Sequence, residues 1–341
     1  MSTSTDPRAA TAERYQQFAE VEATGMSACY EAWARGVAGD PTTVTLIDRL
    51  PPSTRQPNLV FTSARFLGAP VSPYPAFAAW LGEHWREVEG VALTHATQTN
   101  EAGRCAVLLP ALAALAGDGQ RGAPIALIEV GASAGLCLQP DRYSYRYLID
   151  EGGERMLHPT DGPSPVVLDC AVTGPAPIPE RMPEVLWRAG IDLNPLSVTR
   201  QADVDWLDAL IWPEHDDRRA RLRAAVALAR RHPVEIVPGD LNEQIEALVA
   251  RARAETTAGT TIVVFHTAVL MYLDLVAKLR FAAQLDRLSV RWLANEARGV
   301  VPRVVERLTS TPARTSDFIL SLDGEPLAFT QPHGRSIRWF A

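Results

Sequence analysis

One short stretch constrains the fold more than any other. Ile125–Val130 reads Ile-Ala-Leu-Ile-Glu-Val, and Gly131-Ala132-Ser133-Ala134-Gly135 follows at once. A brief apolar run that ends in glycines predicts a buried parallel strand turning sharply into a helix. Glycine supplies positive φ, or room for a ligand against the main chain. The N–H groups at the start of such a helix suit a polar or anionic ligand group.

The residues around this strand divide the chain in two. Before it, from Thr11 to Ala116, the spacing is helical throughout. Tyr15, Phe18 and Val21 open an amphipathic run. Asp40-Pro41 reads as an N-cap with proline at the first helical position. Phe77, Trp80, Leu81 and Trp85 share one helix face. A long helix is expected over Thr94–Ala116, kinked or split by Pro110. Gly117–Pro124 is polar and glycine-rich and marks the boundary. The expected domains are therefore a helical N-terminal cap, 1–118, and an α/β domain, 119–341.

Beyond the boundary, short apolar runs alternate with helices, the signature of an α/β sheet. Strands are expected at Ile125–Val130, Val185–Ala189, Pro233–Val237, Thr261–Phe265 and Ser289–Leu293. Helices are expected at Ala202–Ile211, Asp216–Arg231, Leu241–Ala254 and Leu275–Leu285. Pro140 cuts short any helix that starts near Ala134. Residues 141–184 read as an insert, a hairpin with a proline-rich loop, in which Tyr143, Tyr145 and Tyr147 pack one face. Asp323-Gly324 marks a closing antiparallel hairpin.

Composition excludes several functions. The formal net charge of −7 over 341 residues argues against a nucleic-acid surface, which needs a basic footprint. No apolar run approaches the roughly 20 residues of a membrane span, and the N-terminus has no hydrophobic signal core. The four cysteines, Cys29, Cys105, Cys137 and Cys170, stand apart from one another and from zinc-type spacing, so no metal is implied. The expectation is a cytoplasmic protein with free thiols, acting on a small molecule as a monomer or homodimer.

Two chemistries fit the glycine stretch. As Gly-x-Ser-x-Gly it matches the nucleophile elbow of α/β-hydrolases, with Ser133 as nucleophile and Asp240 with His333 or His266 completing the triad. As Glu-x-Gly-x-x-x-Gly at a strand end, it resembles the first motif of class I S-adenosylmethionine methyltransferases. In open α/β sheets, ligands sit outside the carboxyl ends of the strands. Here those ends carry Glu129/Gly131, Asp192, Gly239-Asp240-Leu241, His266 and Asn295-Glu296. That order resembles the methyltransferase class over about residues 120–341.

The methyltransferase resemblance implies a Rossmann-like doubly wound sheet and a set of roles. Glu129, Gly131, Ala132, Ser133 and Gly135 would hold the methionine half of the cofactor. Asp192, with Leu193, would take the ribose, and Asp240, with Leu241, the adenine. His266 would act as the base that removes the acceptor's proton, and Glu296 would be a second catalytic residue. Arg104 would meet the cofactor carboxylate from a lid containing Gln98-Thr99-Asn100-Glu101, with Tyr143 and Asn295 near the substrate. Binding of the cofactor without methyl transfer is the remaining alternative. The chain is also similar to an uncharacterised bacterial family, domain of unknown function 2332. The likeness lies in Glu129–Leu136, Asp141-Arg142-Tyr143, Gly190–Leu196, Gln98–Glu101 and Val264-Phe265-His266.

Overall fold

A computed structural model describes residues 7–98, 100–116, 123–150 and 152–341. Residues 117–122 of the expected boundary, Gly117–Pro124, and Thr99 of the expected lid lie outside the described residues. The chain forms two compact units: Met1–Thr99 with Arg200–Ala220, and Asn100–Thr199 with Arg221–Ala341.

The first unit is helical. Its elements are α1 (Pro7–Phe18), α2 (Ala28–Ala38), α3 (Pro41–Ile47), α4 (Pro57–Phe66), α5 (Tyr74–Glu83) and α6 (Trp85–Thr94). Asp40 caps α3 as its position predicts, accepting the Thr42 N–H at 2.9 Å. Aromatic rings form the core: Trp33 stacks on Phe77 at 3.7 Å, and Phe61 meets Tyr15, Tyr30, Trp33 and Phe77 edge-on. Val21 departs from its expected place. A π turn over Ala19–Ala23 shifts the helical register by part of a turn, and Val21 ends 73% exposed.

The expected domains, 1–118 and 119–341, are redrawn by side chains far away in sequence. Residues around α8 (Gln201–Ala209) return to the first unit. There Trp206 packs on Phe66, Trp212 packs on Phe18 and Tyr30, and Arg65 Nη1 donates to the carbonyls of Ala209 and Ile211. Conversely, the long helix expected over Thr94–Ala116 is confined to its second half. α6 ends at Thr94, a 3-10 turn covers Ala102–Arg104, and α7 (Cys105–Ala116) belongs with the second unit, packed on its sheet.

Pro110 sits inside α7 without splitting it. A proline there cannot donate to the carbonyl four residues earlier, which is that of Ala106. The buried hydroxyl of Tyr147 donates to this carbonyl instead, at 2.9 Å.

The second unit holds an eleven-stranded, mostly parallel sheet in the order β3-β2-β4-β11-β10-β9-β8-β7-β1-β5-β6. Its strands are β1 (Ile125–Val130), β2 (Ser144–Ile149), β3 (Gly153–Leu157), β4 (Val167–Thr173), β5 (Val185–Asp192), β6 (Glu235–Pro238), β7 (Thr261–Thr267), β8 (Arg291–Ala297), β9 (Phe318–Leu322), β10 (Glu325–Thr330) and β11 (Ser336–Trp339). The five strands β6-β5-β1-β7-β8 are parallel, and β1 is buried along its whole length.

Besides α7, the helices of this half are α9 (Asp216–Arg231), which carries the chain back from the first unit, α10 (Leu241–Glu255), α11 (Leu275–Leu288) and α12 (Pro302–Arg307). Leu241, Ile245, Leu248, Val249, Phe281, Leu285 and Val304 bury the alternate sheet residues Ala126, Ile128, Val130, Ala189, Ile191, Val264, Trp292 and Ala294.

The expected insert becomes part of the sheet. β2 and β3 form the hairpin, and β2 pairs in parallel with β4. β4 pairs in parallel with β11 near the end of the chain, Ala171 opposite Ser336. The closing hairpin is β9–β10, and Asp323 and Gly324 both take positive φ, 53° and 85°, as a two-residue turn of this kind requires.

Candidate functional site

The glycine loop is held from three sides. Gly131, Ser133 and Gly135 all take left-handed φ, 70°, 51° and 72°. A Cβ at Gly131 would lie 2.4 Å from Val269, and one at Gly135 2.6 Å from Val234, so neither position admits a larger residue. Asn100 clamps the loop at both ends. Its Nδ2 donates to the Ala132 carbonyl at 3.1 Å, and its Oδ1 accepts the Leu136 N–H at 3.0 Å. Asp192, at the end of β5, accepts the Ser133 N–H at 2.7 Å on Oδ2 and the Asn194 N–H at 2.8 Å on Oδ1. The Tyr143 hydroxyl donates to the Leu136 carbonyl at 2.7 Å. Asn100 and Tyr143, expected at the substrate, brace the loop instead.

No α-helix follows the loop, contrary to the sequence reading. Two 3-10 turns, Leu136–Leu138 and Pro140–Arg142, take its place. Pro140 and the left-handed Gly135 account for this, and the Leu136 N–H is taken by Asn100 rather than left for a ligand.

Glu129 lies behind the loop, 2% exposed. Its Oε2 is buried with no hydrogen-bond partner among the described residues. Burial pushes its carboxyl well above the ordinary carboxylate range. The neighbouring Cys137 adds to the rise, the Arg104 guanidinium opposes it, and Asp192 adds a smaller part. Arg104 is itself buried and donates from Nε to the Pro332 carbonyl and from Nη1 to the Thr267 carbonyl, each at 3.0 Å. Glu101 caps its 3-10 turn by accepting the Gly103 N–H at 3.0 Å and pairs with Arg221 at 2.8 Å.

The pleat puts His266 and Glu296 on the other face of the sheet. Successive strand residues point to opposite sides. Glu129 alternates with Ile128 and Val130, which face α10 and α11, whereas His266 and Glu296 share the side of Val264 and Ala294. His266 is fully buried. Its Nδ1 bonds Glu296 Oε1 at 2.7 Å, and its Nε2 receives the Trp292 indole N–H at 2.9 Å. An indole N–H can only donate, so Nε2 carries no proton and Nδ1 is the donor. Both ring nitrogens are engaged, so the base role expected of His266 has no free atom to serve it. Glu296 Oε1 also accepts the Val269 and Leu270 N–H groups at 2.8 and 3.0 Å. Together these groups fix the turn after β7. Trp292 was missed in the sequence, although it sits four residues before Glu296 on the same strand face.

The remaining expected residues are spread along the strand ends. Asp240 is exposed and caps α10, accepting the Asn242 N–H at 2.7 Å, with Leu241 buried behind it. Leu193 is 69% exposed. Asn295 is fully buried, bonded to Thr267 Oγ1 at 3.3 Å and to Thr330 Oγ1 at 2.7 Å. Ser133 Oγ is buried without a partner among the described residues. Among the described residues no imidazole bonds it, and both nitrogens of His266 are engaged elsewhere, so the hydrolase triad is not assembled. Among the described residues there is no group of three His, Cys, Asp or Glu side chains that could hold a metal. No helix among them is long and apolar enough to cross a membrane.

Fold and site together define a mixed α/β protein whose large, mostly parallel sheet carries a braced glycine loop and a buried acid at the end of a central strand. The chain belongs to an uncharacterised family conserved in bacteria, DUF2332, whose model matches residues 12–339. No curated protein and no solved structure matches it.

Proposed function

We propose that the chain binds S-adenosylmethionine at the Gly131–Gly135 loop, on a Rossmann-like sheet of class I methyltransferase type, and transfers its methyl group to a small-molecule acceptor. The observation that carries this reading is Glu129. A buried carboxyl oxygen without a partner costs several kcal/mol unless something meets it, and a cationic ligand group would do so. In this strand order, β5 and β6 lie on one side of β1 while β7 and β8 lie on the other. Such a reversal opens the crevice where α/β sheets take ligands.

The residues fit such a ligand in part. Glu129 suits the amino-acid ammonium, and binding would convert its carboxyl to the carboxylate. The exposed Asp240 carboxylate suits the adenine amino group, with Leu193 offering apolar surface beside it. Asp192 serves the loop rather than the ribose, because its oxygens already accept the Ser133 and Asn194 N–H groups. The bound cofactor supplies an electrophilic methyl group. The protein's share is alignment and the exclusion of water, for which a loop braced by Asn100, Asp192 and Tyr143 is suited.

Calorimetric titration with S-adenosylmethionine and its demethylated product tests the reading. Binding heat for both, lost in Glu129→Gln, is the expected result. No heat from wild type at millimolar ligand would overturn it. Methyl-labelled cofactor incubated with an acceptor panel then separates transfer from binding alone.

A further inference from the structure

α11 carries two apolar stripes, and among the described residues only one is covered. Phe281 and Leu285 are buried against the sheet. On the opposite side, Tyr272 of the preceding 3-10 turn (Leu270–Tyr272) is followed on one face of α11 by Leu275, Val276 and Leu279, with Leu279 four and three residues beyond the other two. They are 67%, 58%, 76% and 55% exposed, and Met271 beside them is 49% exposed. Single exposed apolar residues are ordinary, but a contiguous set marks a binding surface.

The turn that leads into this surface lies beside the glycine loop. It follows β7, where Ala268 takes a left-handed φ of 58°. Glu296, held by His266 and through it by Trp292, accepts the next two N–H groups. Asp274 caps α11 by accepting the Ala277 N–H at 2.8 Å. Val269 of this turn is the side chain that a Cβ on Gly131 would strike. Asn242, at the start of α10 beside Asp240, donates to the Ala277 carbonyl at 3.3 Å. The turn before α11 thus meets the glycine loop, and the first turns of α11 meet the start of α10.

We infer that the acceptor is lipophilic and that its apolar body lies on Met271, Tyr272, Leu275, Val276 and Leu279, with its reacting atom toward Gly131. This rests on the cofactor reading above. It makes His266, Glu296 and Trp292 positioning residues for the acceptor platform. Five partly exposed side chains offer on the order of a few hundred Å², the size of a functional surface patch. A standard protein interface takes about 800 Å² from each partner, so the area favours a small molecule over a second copy.

The test titrates 4-ethyl-, 4-butyl- and 4-hexylphenol into wild type, Val276→Asp and Leu279→Asp by ligand-observed NMR, with S-adenosylmethionine calorimetry run in parallel. Both substitutions point into solvent, and unchanged melting curves confirm the fold. Expected is a Kd that falls about two- to fourfold per methylene in wild type, as burial of each CH2 predicts, and a flat series in both variants with the cofactor heat unchanged. Absence of alkylphenol binding in wild type, or the same slope in the variants, would overturn the inference. A wild-type dimer in sedimentation that Val276→Asp dissociates would also overturn it, assigning the stripe to a second copy. Loss of cofactor heat in wild type with the alkylphenol slope intact would sink the cofactor reading while supporting the lipophilic platform.

Discussion

Asp192 Oδ2 accepts the backbone N–H of Ser133 at 2.7 Å, and through that bond the end of β5 sets the shape of the loop after β1. The two residues are 59 positions apart. The other oxygen of the same carboxylate holds its own turn by accepting the Asn194 N–H, so one side chain fixes both strand ends.

Asp192→Asn should therefore cost about 1–3 kcal/mol of stability. An amide has one acceptor oxygen, and its NH2 would face one of the two N–H groups. Denaturant unfolding measures the loss. Binding of S-adenosylmethionine should weaken at least about tenfold, the equivalent of about 1.4 kcal/mol.

Glu129→Gln should stabilise the protein while removing ligand binding. Burial, then Cys137, raises the Glu129 carboxyl well above its unfolded value of 4.5, against the opposing pull of Arg104. An acid whose folded pKa is raised binds its proton more tightly when folded. Its favourable contribution is complete below the unfolded pKa and is lost as pH rises through the folded one. Wild type and Glu129→Gln should melt together near about pH 4, and the variant should melt a few degrees higher near about pH 8. Equal melting points at both pH values would refute a buried, costly carboxyl. In wild type, ligand binding should release a proton and tighten as pH rises. Calorimetry in buffers of different ionisation enthalpy checks this.

Ser133→Gly should raise stability by up to about 1 kcal/mol, because Ser133 holds a left-handed φ of 51° that glycine adopts without strain. Ser133→Ala should change stability by less than about 0.5 kcal/mol, since its Oγ has no partner to lose among the described residues. Thermal melts of both variants decide the matter. Labelling of wild type by a fluorophosphonate would instead revive Ser133 as a nucleophile.

Tyr147→Phe should cost about 1–2 kcal/mol by leaving the buried Ala106 carbonyl unpaired. In a Pro110→Ala background the same change should cost less, because the N–H restored at position 110 reaches that carbonyl. A double-mutant cycle reads this coupling directly. Additivity would show that Tyr147 and Pro110 are unrelated.

Much of the fold is legible in local pattern. Glu129-Val130-Gly131 announces a strand that ends in a bend, and Asp40-Pro41, Asp323-Gly324 and the β-branched run of β7 each state their own conformation. These signals are local, because period, caps and turn residues act within a few positions. The helix expected after Gly135 failed for a reason equally local: Pro140 and a left-handed glycine leave room only for 3-10 turns.

The candidate site was legible as residues but not as roles. His266 and Glu129 each end a central strand, and nothing in the sequence says that they face opposite sides of the sheet, because parity has meaning only after the register between strands is fixed. Asp192 and Asn100 were legible as polar residues near a loop. That they spend their hydrogen bonds on its backbone emerged only when folding brought the donors to them.

The sequence by itself determined the central strand, its glycine bend, the acid two residues before it and the alternation of strands with helices, since each is written in neighbouring residues. Only the tertiary structure decided that the 144–173 segment joins the sheet beside its last strand, that 200–220 packs with the N-terminal helices, and that Glu129 Oε2 is buried without a partner among the described residues. Strand pairing and the hydrogen bonds of buried groups depend on residues far apart in the chain, and no local pattern encodes which of them meet.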